Sequence, residues 1–79
     1  MKSQMTYLVH THRHGFRAGK PAKILGVRFV TPKGHAGRVC YHVRFRDGKE
    51  DFVPLADQNN FKIISAADVR DGNIPEVTD

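Results

Sequence analysis

Two groups of side chains in this 79-residue sequence have the types and spacing to do chemistry. Arg38, His42, Arg44 and Arg46 sit at even spacings in one segment. Side chains in a strand alternate between faces with period two, so all four would share a face. Arginine offers a planar fork of donors that meets phosphate or carboxylate oxygens two at a time. Arg28 falls in the preceding apolar run, and Arg13, Arg17, Lys20 and Lys33 fall in the flanking loops. These nine residues form the expected anion-binding set, with Phe16 and Tyr7 as candidate stacking partners for bases. The second group is His10, His12 and His14, which would share a face if their segment were a strand. Imidazole nitrogens ligate zinc tetrahedrally at about 2.0–2.1 Å, and His35, His42 or Cys40 could complete such a set. Gly15 follows at once, however, and neither Cys-x-x-Cys nor His-Glu-x-x-His occurs. The first expectation is therefore no metal, with the three histidines adding to a basic surface below about pH 6.5; a metal-binding protein built on this cluster is the lesser alternative.

Other fragments do not assemble into a catalyst. Cys40 lies between Arg38 and His42, which could lower a thiol pKa, but no base with an orienting third group is readable. Gly15-Phe16-Arg17-Ala18-Gly19-Lys20 approximates a phosphate loop, yet it is one residue short and Pro21 stands where Ser or Thr is needed. Asp47, Glu50 and Asp51 belong to a turn, where acids are expected for backbone reasons. We expect no enzymatic activity and no cofactor.

The charge distribution gives the functional direction. Residues 1–46 hold ten Lys or Arg and no acid, whereas residues 47–79 hold three Lys or Arg and eight acids. Such asymmetry points first to an anionic partner, DNA or RNA, and second to an acidic protein. The basic half could also meet the acidic half, within one chain or head to tail on another copy. Hydrophobic residues are 39% and charged residues 27%, an ordinary globular composition. No run approaches the roughly 20 apolar residues of a membrane span, and the N-terminus lacks a signal-peptide pattern. A single cysteine excludes an internal disulfide framework and fits a reducing, cytoplasmic setting.

Strands must position these groups. Met5–His10 and Lys23–Val30 read as strands by their β-branched and aromatic content, with Gly26 marking a bulge or bend in the second. Arg38–Arg46 alternates, with Val39, Tyr41, Val43 and Phe45 on an apolar face opposite the basic one. Asp47-Gly48 is a strong hairpin signal. A two-residue turn would set Arg44 opposite Asp51, and a three-residue turn with left-handed Gly48 would set it opposite Glu50. Phe52–Leu55 returns, with Pro54 suited to a sheet edge. Asp57–Asn60 suggests a helical turn and Phe61–Ile64 a last strand. Ser65-Ala66-Ala67-Asp68 has capping-box spacing, and Asp71–Asp79 reads as a loose acidic tail.

Five short strands at this size predict an all-β, five-stranded barrel over residues 1–65, with residues 66–79 as a helical turn and tail. Its expected core is Leu25, Val27, Phe29, Val39, Tyr41, Val43, Val53 and Ile63. Tyr41-x-Val43-x-Phe45-x-Asp47-Gly48, continuing to Val53-Pro54-Leu55, resembles the middle hairpin of Tudor-type SH3-like barrels. Gly19–Val27 resembles that fold's first barrel strand, and residues 57–64 its helical turn and closing strand. The whole is also similar to small proteins of phages and mobile elements. The resemblance implies binding rather than catalysis. A methyl-lysine or methyl-arginine cage needs clustered free aromatics, but Tyr41 and Phe45 belong to the apolar face and there is no tryptophan. The leading expectation is nucleic-acid binding. The alternative is an adaptor or inhibitor of phage type that docks on an acidic protein.

Overall fold

The structure is a computed structural model that describes residues 6–78; the Met5 start of the first predicted strand and the final Asp79 lie outside them. Five antiparallel strands form one sheet: β1 (Thr6–His10), β2 (Ala22–Val30), β3 (Arg38–Phe45), β4 (Glu50–Pro54) and β5 (Phe61–Ser65). Their order across the sheet is β4-β3-β2-β1-β5, so β4 and β5 are its edges. A 3-10 turn, Leu55–Asn60, joins those edges. The core cluster takes Leu8 from β1, Ala22 from β2, Val43 and Phe45 from β3, Val53 from β4 and Phe61 from β5. One sheet can bring side chains from all five strands together only by curling around them, which makes this small all-β domain barrel-like.

Local sequence accounts for each junction. Pro54 ends an edge strand, where its missing N–H costs no ladder bond. The β3–β4 hairpin uses the three-residue turn. Phe45 N–H donates to Lys49 O at 2.8 Å, Gly48 N–H donates to Phe45 O at 3.0 Å, and Gly48 sits at φ +94°. That left-handed value favours glycine, and the resulting register sets Arg44 opposite Glu50 and Val43 opposite Asp51. Ser65 caps the helix α1 (Ala66–Arg70) with a full capping box, in which its Oγ accepts from Asp68 N–H while Asp68 Oδ2 accepts from Ser65 N–H.

The C-terminal segment, expected to hang loose, is tethered at its far end. Thr78 N–H donates to Thr11 O at 2.6 Å, and Arg13 N–H donates to Thr78 O at 3.0 Å. The backbone of the β1–β2 loop offers these groups to the returning chain, a partner that composition does not reveal.

The expected core is correct for Val43 and Val53, and Tyr41 packs half-buried against it. Leu25, Val27, Phe29, Val39 and Ile63 are instead exposed. Strand length is the reason. β2 and β3 run nine and eight residues, but β1 pairs with β2 only at Ala22 and Lys23. The β2–β3 ribbon therefore projects past the strands that would cover its inner face. Val27 is 58% and Phe29 70% exposed, whereas Leu8 in the covered part is fully buried. Leu25 is the extra residue of a bulge, and Ile63 lies on edge strand β5. Replacing Leu8 by Ala should cost about 2–5 kcal/mol in urea unfolding. Phe29→Ala should cost well under half as much, although Phe29 is the larger side chain. Equal losses would return Phe29 to the core.

Candidate nucleic-acid interface

A bulge in β2 decides which cations meet. The β2–β3 register runs Lys23 opposite Arg44, Ile24 opposite Val43, then Gly26 opposite His42, Arg28 opposite Cys40 and Val30 opposite Arg38. Two β2 residues thus face one step of β3, and the strand's alternation is offset by one from there on. Lys23 and Arg28 would otherwise point to opposite faces. With the bulge, Lys23, Arg28, Arg38, His42 and Arg44 share the outer face, opposite the core. Arg28 and Arg38 are diagonal neighbours there, with cross-strand partners two residues apart. The even-numbered face of β3 is as the sequence predicts, except that Arg46 lies just past the strand end.

One outer row crosses the whole sheet: Ile64, Tyr7, Lys23, Arg44 and Glu50 are successive cross-strand partners. A groove of about 410 Å³ opens beside it, lined by Tyr7, Pro21, Lys23, Arg44, Arg46 and Val69 among others. A second cleft shares Pro21 and Arg46 and adds Arg17 and Lys20. Five cations therefore surround Pro21 at one end of the ribbon. Arg28, Arg38 and the loop residue Lys33 occupy the other end.

Acids engage only some of these cations. Glu50 holds two groups: His42 Nε2–H donates to Oε1 at 2.6 Å, and Arg44 donates to Oε2 from Nη2 at 2.9 Å and Nε at 3.2 Å. The hydrogen bonds from His42 first and Arg44 second hold the Glu50 carboxyl below its usual 4.5. Arg17 is committed likewise. It adopts a left-handed φ of 53°, pairs with Asp47 at 2.8 Å, and lies about 5 Å from the Phe16 and Phe45 ring centres. This arrangement pins the β1–β2 loop to the hairpin turn. The Arg17 hydrogen bond, with help from Lys49 N–H, holds Asp47 below its usual 3.8. Lys20, Lys23, Arg28, Lys33, Arg38 and Arg46 form no ion pair among the described residues.

The histidines do not form a ligand set. β1 ends at His10, and the chain turns before His14, so their alternation is broken. His10 is buried with its ring edge-on to Phe61, and Gly15 packs so close that a Cβ there would lie 2.7 Å from His10 Cβ. His12 Nδ1 accepts from His14 N–H at 3.2 Å. The three line a cleft of about 460 Å³ with Asp51 and Asp57, yet no group of three or more His, Cys, Asp or Glu among the described residues is placed to hold a metal ion. His35 lies exposed in the β2–β3 loop. Cys40 is buried between Arg28 and Pro54 in the ladder, which removes its thiol from solvent. Sequence reading missed Lys23, because simple alternation sets it apart from Arg28; Gly26 was the available signal.

No family model, curated protein or solved structure matches this chain. Among the described residues, no helix is long and apolar enough to cross a membrane. The functional reading accordingly rests on the site's own chemistry.

The Glu50 clamp has a measurable consequence. A carboxyl with a depressed folded pKa contributes stability above its unfolded value, and that stability is lost as pH falls through the folded value. Side-chain NMR titration should place the Glu50 midpoint below 4.5, and Arg44→Gln should move it upward. An ordinary midpoint in the wild type would break the clamp assignment.

Proposed function

We propose that this protein is a non-enzymatic nucleic-acid-binding module that grips phosphates with the outer face of the β2–β3 ribbon. The supporting observation is the selective pairing of charge. Glu50 and Asp47 occupy Arg44, His42 and Arg17, while among the described residues no acid pairs with Lys20, Lys23, Arg28, Lys33, Arg38 or Arg46. Unpaired cations spread over one face and its flanking loops suit a polyanion better than a point ligand. Each neutralised phosphate releases condensed counterions, so such binding weakens steeply with salt.

Fluorescence anisotropy with labelled DNA and RNA across a salt series tests this. The logarithm of the affinity should fall linearly with log salt. Reversal of Arg28 and Arg38 to Glu should weaken binding and flatten the slope by about one per lost phosphate contact, without unfolding the domain. Glu50→Gln should strengthen binding by releasing Arg44. Unchanged affinity in the double reversal would remove this face from the interface.

One observation favours a second reading, docking on an acidic protein. Val27, Phe29 and Val39 present exposed apolar surface on the opposite face of the same ribbon, with Arg28 and Arg38 on the strands that carry them. An acidic partner with an apolar contact strip would complement both features, and its binding would survive salt that releases oligonucleotides. Phe29→Ser should abolish such binding and leave nucleic-acid affinity intact.

A further inference from the structure

We infer that the groove beside Tyr7 receives an unpaired nucleobase, which makes single-stranded nucleic acid the ligand class. The inference rests on the phosphate-binding reading and adds what a field of cations does not explain. Phosphate recognition alone needs donors and charge. This groove also has an aromatic wall, Tyr7, and apolar walls in Pro21 and Val69, while Lys23 and Arg46 supply cations with no acid among the described residues and Arg44 lines it paired to Glu50. An apolar slot with cationic edges is the chemistry of a base with its attached phosphate. Its volume of about 410 Å³ lies within the roughly 300–1,000 Å³ of small-ligand pockets.

A duplex keeps its bases stacked inside and presents mainly phosphate to a surface like this one. Placing a duplex base in the groove would require unpairing and unstacking it. A single strand offers a free π-face at every nucleotide, and stacking on an aromatic side chain accepts any base. The remaining cations continue the path. From Lys23 to Arg28 the outer face of β2 spans four ladder steps, about 13 Å at roughly 3.3 Å per residue, and Arg38 lies diagonally beyond. The groove anchors one base, and the ribbon then tracks the backbone of its neighbours.

The test compares a labelled oligothymidylate with a mixed-sequence duplex of equal length, using the full chain. The single strand should bind at least about tenfold tighter at the same salt. Tyr7→Leu should weaken single-strand binding by about 5- to 150-fold, as the loss of one base–aromatic stack does. Its salt slope should stay unchanged, because no phosphate contact is removed, and Tyr7→Phe should retain the affinity. Wild-type NMR supplies a readout that needs no variant: the Tyr7 ring protons should move upfield as oligothymidylate is added. Equal affinity for strand and duplex, or unshifted Tyr7 ring protons at saturation, overturns the inference while the phosphate reading stands. Absence of binding to either nucleic acid at low salt overturns the phosphate reading itself.

Discussion

The bulge at Ile24–Gly26 is the constraint on which the surface depends. A strand's alternation is rigid, and one extra residue moves every later side chain to the other face. Before the bulge, β2 sends Ala22 and Ile24 inward and Lys23 outward. After it, Gly26 and Arg28 are outward and Val27 and Phe29 inward. The insertion thus unites cations from both halves of β2 with those of β3. It also passes at a point where the outer face carries no β2 side chain, since a Cβ on Gly26 would meet nothing within 4 Å. Between its two basic ends the outer face carries this glycine on β2, beside the stacked rings of His42 and Phe52 on β3 and β4.

Strand length sets a second condition. Five-residue neighbours cannot cover a ribbon of nine and eight residues, so the apolar alternation outruns the barrel. Val27 opposite Tyr41 and Phe29 opposite Val39 continue the inner rows into solvent. Phe29 keeps partial shelter by lying over Gly37, where a Cβ would overlap its ring. That contact explains why a glycine immediately precedes β3. The ribbon is therefore a two-faced element, basic on one side and apolar on the other, held at one end by a core that closes around Leu8, Val43 and Phe61.

Much of this was legible in the sequence, for identifiable reasons. Strict alternation from Arg38 to Phe45 fixed the faces of β3, Asp47-Gly48 fixed the hairpin, and Ser65 with Asp68 fixed the start of α1. The exposed end of the expected core has one origin: periodicity reports which face a residue takes and is silent on whether anything covers that face. Val27, Phe29 and Val39 take the predicted face and stay exposed. Conversely, Leu8, Val9 and Phe61 are buried although their short segments show little pattern. Lys23 entered the basic face only through the bulge, and the docking of Thr78 on Thr11 is a long-range backbone contact with no local signature.

The placement of acids completes the argument. Cations gathered around Pro21 repel one another over distances comparable with the roughly 8 Å screening length of physiological salt. Such a face is stable only if some of its charge is compensated. Among the described residues that compensation comes at the hairpin, where Asp47 and Glu50 flank the turn. Each of these acids serves a fold contact: Asp47 accepts from Lys49 N–H and ties Arg17 to the turn, and Glu50 links His42 and Arg44 across β3 and β4. Of the other described acids, Asp51 lies on β4, Asp57 on the 3-10 turn, Asp68 on α1, and Asp71 and Glu76 after it. Asp47 and Glu50 thus serve contacts within the chain, and the cations they pair include two of the outer ribbon, His42 and Arg44. A purely solubilising surface would intersperse both signs. On β2 and β3 the charges are instead segregated, with Lys23, Arg28, Arg38 and Arg44 and no acid on either strand.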